Sequence, residues 1–235
     1  MSIPDDSKCW ALVPAAGSGR RMGTEIPKQY LMIGDKTVLE HTLQALQGHQ
    51  DIHAIMVVLS EDDSMVKKMS SLGFYTAVGG NERFQSVYNG LLALDTMAGE
   101  NDWVLVHDAA RPCLRYEDLA RLIETVRQTE LGGLLASPVN DTIKAGAQNQ
   151  FVTSTVDRSQ LWRALTPQMF RLGQLRKALN LVIDSGEVVT DEAEAMERAG
   201  YRVQLVHGSA DNIKITRPED VAFVQMILQQ QQRLA

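Results

Sequence analysis

Apolar positions along the chain alternate between two patterns. The runs Cys9–Pro14, Ile52–Leu59, 103–107 and 134–139 are apolar almost throughout. They read as strands covered on both faces, the second of them rich in Ile and Val. Between the runs, apolar residues return at helical spacing. Phe84, Val87, Tyr88 and Leu91 share one face, as do Leu119, Leu122, Ile123 and Val126. Thr37 followed three residues on by Glu40 carries the signature of a capping box. It predicts a helix running to about Gln47 and stopping before Gly48. Near the C-terminus, Thr216, Pro218 and Glu219 open a helix that ends in the Gln-rich tail of Gln229 to Gln232, read as a solvated helix end.

Strands alternating with helices favour a mostly parallel sheet with helices on both faces. Ligands of such sheets bind beyond the carboxyl ends of the strands. Segments 15–27, 79–83, 108–112 and 211–216 occupy such positions, and the unusual residues concentrate there. Residues 140–156 break the rhythm. Two short β-branched runs, 142–144 and 151–156, surround a polar turn at 146–150, which predicts a projecting β-hairpin arm. An isolated hairpin is marginal in water, so the arm is expected to pack on a second subunit. No internal repeat or long linker divides the chain, and residues 1–235 are expected to form one domain.

The chain has 235 residues, 44% hydrophobic and 22% charged, with a formal net charge of -6. It is long enough to bury a proper core. The acidic balance provides no global attraction to nucleic acid or an anionic membrane, so an anionic substrate must be met by a local cluster of cations. Cys9 and Cys113 sit in apolar surroundings and are expected as buried thiols of a reducing compartment, not a disulfide. The polar start lacks the features of a signal peptide, and no apolar stretch reaches the length of a membrane span. A soluble cytoplasmic protein is expected. His41, His49, His53 and His207 share no face and suggest no metal site.

The richest chemistry lies in Pro14-Ala-Ala-Gly-Ser-Gly-Arg-Arg-Met-Gly23, followed by Pro27-Lys28-Gln29. Gly17 and Gly19 allow a sharp turn that brings backbone N–H groups close to phosphate oxygens. Arg20, Arg21 and Lys28 add cations suited to phosphate. The loop does not match the dinucleotide fingerprint, because position 22 is Met and Gly23 comes one residue late. A Walker A loop is excluded too, since Thr24 and Glu25 follow Gly23.

Taken with His107-Asp-Ala-Ala-Arg-Pro112, Asp211-Asn-Ile-Lys214 and Thr216-Arg-Pro-Glu-Asp220, the loop resembles the 2-C-methyl-D-erythritol 4-phosphate cytidylyltransferase family of the non-mevalonate isoprenoid pathway. The similarity spans almost the whole chain, with the four motifs in the family's order. It implies a single Rossmann-like nucleotidyltransferase domain of the α/β class, with 140–156 as a dimerisation arm. The implied reaction is attack by a polyol phosphate on the α-phosphorus of CTP, with loss of pyrophosphate.

The resemblance also implies roles. CTP, as co-substrate, is received by Ala15, Ala16, Gly17, Gly19, Gly80 and Ser86. Arg21 and Lys28 stabilise the transition state, Lys214 assists, and Arg158 holds the acceptor phosphate in line. Asp108, Arg111, Thr142, Arg158, Thr166, Thr190 and Lys214 meet the acceptor, with Thr142 and Arg158 acting across a dimer interface. Mg2+ or another divalent cation is bound through the CTP phosphates, near Asp108, and not in a dedicated protein cage. His107 is read as a packed structural imidazole. Taken singly, many of these residues also suit a bland reading: an ion pair for Asp108 and Arg111, a cap or strand position for each Thr. Two other functions are consistent with the loop: a cytidylyltransferase for another polyol phosphate, such as ribitol 5-phosphate, and a non-catalytic nucleotide-binding regulator. The chain ends soon after its last helix, so no following enzyme is expected to be fused to it.

Overall fold

A computed structural model describes residues 7–17, 26–66, 69 and 72–234. The central sheet has seven strands, β1 (Cys9–Pro14), β4 (Ile52–Leu59), β5 (Tyr75–Val78), β6 (Trp103–Val106), β7 (Gly132–Pro138), β10 (Trp162–Arg171) and β11 (Val203–His207). Their order is β11-β7-β10-β6-β1-β4-β5. Pairing is parallel except along β10, which runs antiparallel to both β6 and β7. The α/β class and the mostly parallel sheet are therefore as expected, with one reversed strand near the centre.

Alternation along the strands sends side chains to two separate cores. Cys9, Ala11 and Val13 of β1 pack on one face with Leu39, Leu43 and Leu46 of α1 (Val38–Gln47) and Leu119, Leu122 and Val126 of α3 (Tyr116–Thr129). Trp10 and Leu12 face the other side. There they meet α2 (Arg83–Leu94), α4 (Leu172–Ser185) and α5 (Glu192–Arg198). This period-two division of one strand between two helical layers is what a doubly covered sheet requires.

A third cluster joins the ligand edge to the C-terminal helix. Val224 and Leu228 of α6 (Asp220–Gln230) pack against Ile33, Val38, Ala110, Cys113 and Ile215. Ile33 belongs to a small hairpin of β2 (Met32–Ile33) and β3 (Lys36–Thr37). The expected capping box is present: Thr37 Oγ1 accepts from the Glu40 N–H at 3.2 Å, and the Thr37 N–H donates to Glu40 Oε2 at 2.6 Å. Such a cap stabilises a helix start by about 1 kcal/mol.

The arm is the antiparallel pair β8 (Ile143–Gly146) and β9 (Val152–Val156). It forms within the connection from β7 to β10 and bears exposed Phe151 and Val152, at 72% and 64%. Strand and helix bounds differ from the sequence reading by a residue or two at 103–106, 132–138, 143–146 and 220–230.

Candidate active site

The carboxyl ends of the parallel strands converge on one edge, and each delivers a loop there. After β1, the Ala15 N–H donates to the Val58 carbonyl at 2.7 Å. Gln29, from the 3-10 turn Lys28–Tyr30, donates through Nε2 to the carbonyls of Ala15 at 2.7 Å and Gly17 at 3.2 Å. After β5, the Gly79 N–H donates to the Leu59 carbonyl at 2.7 Å. The two loops abut: a Cβ added to Gly79 would lie 2.6 Å from the Ala16 Cβ. Ser86 holds this turn from inside α2, its Oγ accepting from the Gly80 N–H at 3.1 Å and reaching the Glu82 carbonyl at 3.1 Å. Ala15, Ala16, Gly17, Gly80 and Ser86 are thus brought together. The Gly19 and Arg21 assignments lie outside the described residues.

The second half of the edge is built on Asp108. His107 is fully buried, and its Nε2 is 3.0 Å from the Arg111 carbonyl. A carbonyl can only accept, so Nε2 carries the proton and Nδ1 is the acceptor. Thr166 Oγ1, 3.0 Å from Nδ1, must therefore donate to it, while accepting from the Asp108 N–H at 3.1 Å. Burial pushes the His107 pKa down to about 4, against smaller opposing effects of the Arg111 carbonyl and Asp108. The neutral imidazole and Thr166 fix the Asp108 backbone. His107 is structural, as expected, and the proton of the buried Thr166 hydroxyl is committed to it.

Thr166 reaches this place through a flaw in β10. Register against β7 shifts between Ala164 and Gln168, where Pro167 has no N–H for the ladder. A bulge beside a site re-aims the residues around it.

Three cations converge on the Asp108 carboxylate. Arg83 Nε is 3.0 Å from Oδ1, while Lys214 Nζ at 2.9 Å and Arg111 Nε at 3.4 Å share Oδ2. Burial alone would raise the Asp108 pKa, but Arg83, Lys214 and Arg111 together hold it well below the usual carboxylate range. Arg111 also donates to the Asn212 carbonyl at 2.7 Å, and Asn212 Nδ2 to the Thr166 carbonyl at 2.7 Å. Lys28 Nζ donates to the carbonyl of Ile215 at 2.9 Å, and the Ile215 N–H to the Ala110 carbonyl at 2.9 Å. Lys28, 186 residues from Lys214 in sequence, is therefore anchored on the backbone of the residue that follows Lys214.

The remaining assigned residues lie further out. Thr190 is exposed, its N–H and hydroxyl both donating to Glu194 Oε2 at the start of α5. Thr142 is exposed just before β8, and Arg158, exposed just after β9, donates to the Asn140 carbonyl. Both stand at the base of the arm.

Sequence reasoning assigned no role to Arg83 or Glu192. The Arg83 guanidinium grips Glu192 with both terminal nitrogens, at 2.7 and 3.0 Å. Burial disfavours its charge, but Glu192 and Asp108 outweigh that and raise its pKa. Glu192 is completely buried. In sequence it resembles an ordinary acidic residue in a helix first turn, and nothing local reveals that it faces inward.

Known proteins resolve the family. A profile described as 2-C-methyl-D-erythritol 4-phosphate cytidylyltransferase matches residues 9–230. This chain belongs to that family. It is accordingly a nucleotidyltransferase, a cytidylyltransferase of isoprenoid biosynthesis that uses CTP. Among its relatives, the 2-C-methyl-D-erythritol 4-phosphate cytidylyltransferase of Photobacterium profundum is 47% identical over 227 residues, 94% of this chain and 96% of that one. The protein of the same name from Ectopseudomonas mendocina is 50% identical over 222 residues, 93% of this chain and 94% of that one. A crystal structure of 4-diphosphocytidyl-2C-methyl-D-erythritol synthase superposes with a TM-score of 0.83 at 42% identity, covering 95% of this chain and 99% of that chain. The 2-C-methyl-D-erythritol 4-phosphate cytidylyltransferase of Thermus thermophilus gives 0.80 at 32% identity, covering 94% and 99%. These likenesses leave the parts played by individual residues to the geometry.

Proposed function

We propose that the edge formed by Ala15–Gly17, Gly79–Gly80, Lys28 and Lys214 seats CTP, and that Asp108 and its neighbours seat 2-C-methyl-D-erythritol 4-phosphate. The observation that carries this reading is at the sheet's carboxyl edge, where Lys214 pairs with Asp108 and Lys28 is held on the carbonyl of the next residue, Ile215. Lys28, Arg83, Arg111 and Lys214 outnumber Asp108 and Glu192, so the cleft is locally cationic in a chain of net charge -6. An acceptor phosphate is already a nucleophile at neutral pH, so no strong general base is needed. The barrier is the approach of two polyanions and the charge that builds at phosphorus, which positioned cations lower.

Small residues at Ala15, Ala16 and Gly80 leave room for the pyrimidine, and the Ala15–Gly17 backbone approaches the phosphates. Ser86 serves by holding the Gly79–Gly80 turn. Lys28, with Arg21, stabilises the transition state. Lys214 exchanges Asp108 for phosphate oxygens, freeing Oδ2 for an acceptor hydroxyl. Arg111 and Thr166 fix the Asp108 loop, and Thr190 borders the acceptor. Arg158 and Thr142 complete the site from the arm of a second subunit, and exposed Phe151 and Val152 supply the apolar contact for such a homodimer.

Among the described residues, no group of three or more His, Cys, Asp or Glu could hold a metal ion. Asp108, a hard oxygen donor already surrounded by cations, suits a divalent ion only when triphosphate oxygens bring it. Asp108 would be the protein group nearest such an ion, whose charge would offset that of the phosphates. No described helix is long and apolar enough to cross a membrane. Burial pushes the Cys9 and Cys113 thiols up to about 12, so both stay protonated and unreactive at neutral pH.

The test is CTP-dependent pyrophosphate release with methylerythritol phosphate and ribitol 5-phosphate in parallel. Higher kcat/KM for the first supports the proposed acceptor. A preference for the second moves the protein to another polyol, and CTP binding without turnover leaves a nucleotide-binding regulator.

A further inference from the structure

The contact between Arg83 and Glu192 has been given no task beyond the charge each brings to the site. Glu192 opens α5 but does not cap it, because the Asp191 side chain accepts from the Glu194 N–H at 2.9 Å. Arg83 opens α2, whose own start is closed by Gln85 Oε1 accepting from the Glu82 N–H at 3.1 Å. Neither residue is needed for its own helix. Instead they bridge 109 positions of sequence through a two-pronged contact. A buried ion pair is a weak device for stability alone, since desolvation offsets most of its attraction.

The geometry gives the pair a different task. A guanidinium has two edges that can grip a carboxylate. Glu192 occupies the terminal edge of Arg83, at 2.7 and 3.0 Å, so Arg83 presents Nε to Asp108 Oδ1 at 3.0 Å. The second oxygen of Asp108 is thereby kept for Lys214 and Arg111. Without the Glu192 charge, the stronger two-pronged grip becomes available to Asp108 itself. Both oxygens then turn toward Arg83, and Lys214 loses its partner.

We propose that Arg83 and Glu192 are positioning residues, with Glu192 blocking one edge of Arg83 so that Asp108 stays aimed at Lys214 and the acceptor. The proposal rests on the seating of acceptor at Asp108 given above. Its consequence is asymmetric between the two substrates. The Ala15–Gly17 backbone is held by Val58 and Gln29, and the Gly79–Gly80 turn by Leu59 and Ser86. Lys214 leaves Asp108 for the triphosphate in any case, whereas the acceptor carboxylate is aimed by Arg83.

The test is steady-state kinetics of Glu192→Gln and Glu192→Asp beside the wild type, with circular dichroism and thermal melting to establish the folded fraction. Glu192→Gln should lower kcat about a hundredfold, the scale of a misplacement of about 1 Å. KM for the acceptor should rise, with KM for CTP within about twofold of the wild type. Glu192→Asp, which keeps the charge, should recover part of kcat. The proposal is overturned by KM values that rise together, by wild-type kinetics in Glu192→Gln, or by a Glu192→Asp no better than Glu192→Gln. Should Glu192→Gln fail to fold, Arg83→Lys, which cannot hold both carboxylates at once, must show the same split between substrates. A wild type inactive with this acceptor overturns the seating as well; an active wild type beside an indifferent variant overturns only the positioning role.

Discussion

Lowering the pH should weaken the fold through His107 before the carboxylates of the site are protonated. His107 is fully buried, neutral, and pushed down to about 4 in the folded protein. In the unfolded chain a histidine titrates near 6.5. Between those values the unfolded state binds more protons, so stability is fully present above about pH 6.5 and falls as pH drops toward 4. At 1.36 kcal/mol per pH unit, the full gap is worth roughly 3 kcal/mol. For a chain of this size, that is a loss of roughly 10 °C in Tm. The assay is thermal unfolding of the wild type and His107→Gln between pH 7.5 and 4.5. Gln can still donate to the Arg111 carbonyl but does not titrate. The variant should start less stable, and the gap in Tm should close as pH falls. His41 and His49, whose pKa values are also lowered by burial, are common to both proteins and cancel. A Tm gap constant over this range would refute the buried, neutral imidazole and the hydrogen-bond chain inferred from it.

Other consequences are open to simple measurement. Lys28→Ala should cut turnover roughly a hundredfold to a thousandfold, with its circular dichroism spectrum unchanged; near wild-type pyrophosphate release removes Lys28 from the mechanism. Gly132→Ala places a Cβ 2.2 Å from Phe170 Cδ1 in the core and should cost about 1–3 kcal/mol, read as a lower urea midpoint at unchanged m-value. Phe151→Glu with Val152→Glu should shift the protein from dimer to monomer in sedimentation and reduce activity, because Thr142 and Arg158 would leave the site; an unchanged sedimentation coefficient contradicts the arm's role.

Local signals were readable in the sequence and distant ones were not. The Thr37–Glu40 box closes within one helical turn, so its residues announce it. The arm announces itself through its turn composition. Strand β10 does not, because Arg163, Thr166, Pro167 and Gln168 disguise a strand at the centre of the sheet. Buried Gln168 takes its shortest hydrogen bonds from tertiary partners, donating to Asp191 at 3.0 Å and accepting from the Ala193 N–H at 2.8 Å. With β10 hidden, the helical spacing of Leu172, Leu175, Leu179 and Val182 had no visible starting point. The site shows the same division. Motifs name Asp108, Arg111, Lys28 and Lys214, but apart from the Asp108–Arg111 pair their partners lie far along the chain. Glu192 carries no local mark, since a first-turn Glu satisfies helix electrostatics equally well when exposed.

The most direct measurement is the crystal structure of the protein with CTP bound. The account predicts the triphosphate lying against the Ala15–Gly17 backbone, with Lys28 and Lys214 Nζ within hydrogen-bonding distance of its oxygens and Lys214 drawn from Asp108. A triphosphate bound elsewhere, with Lys214 still on Asp108, would contradict it.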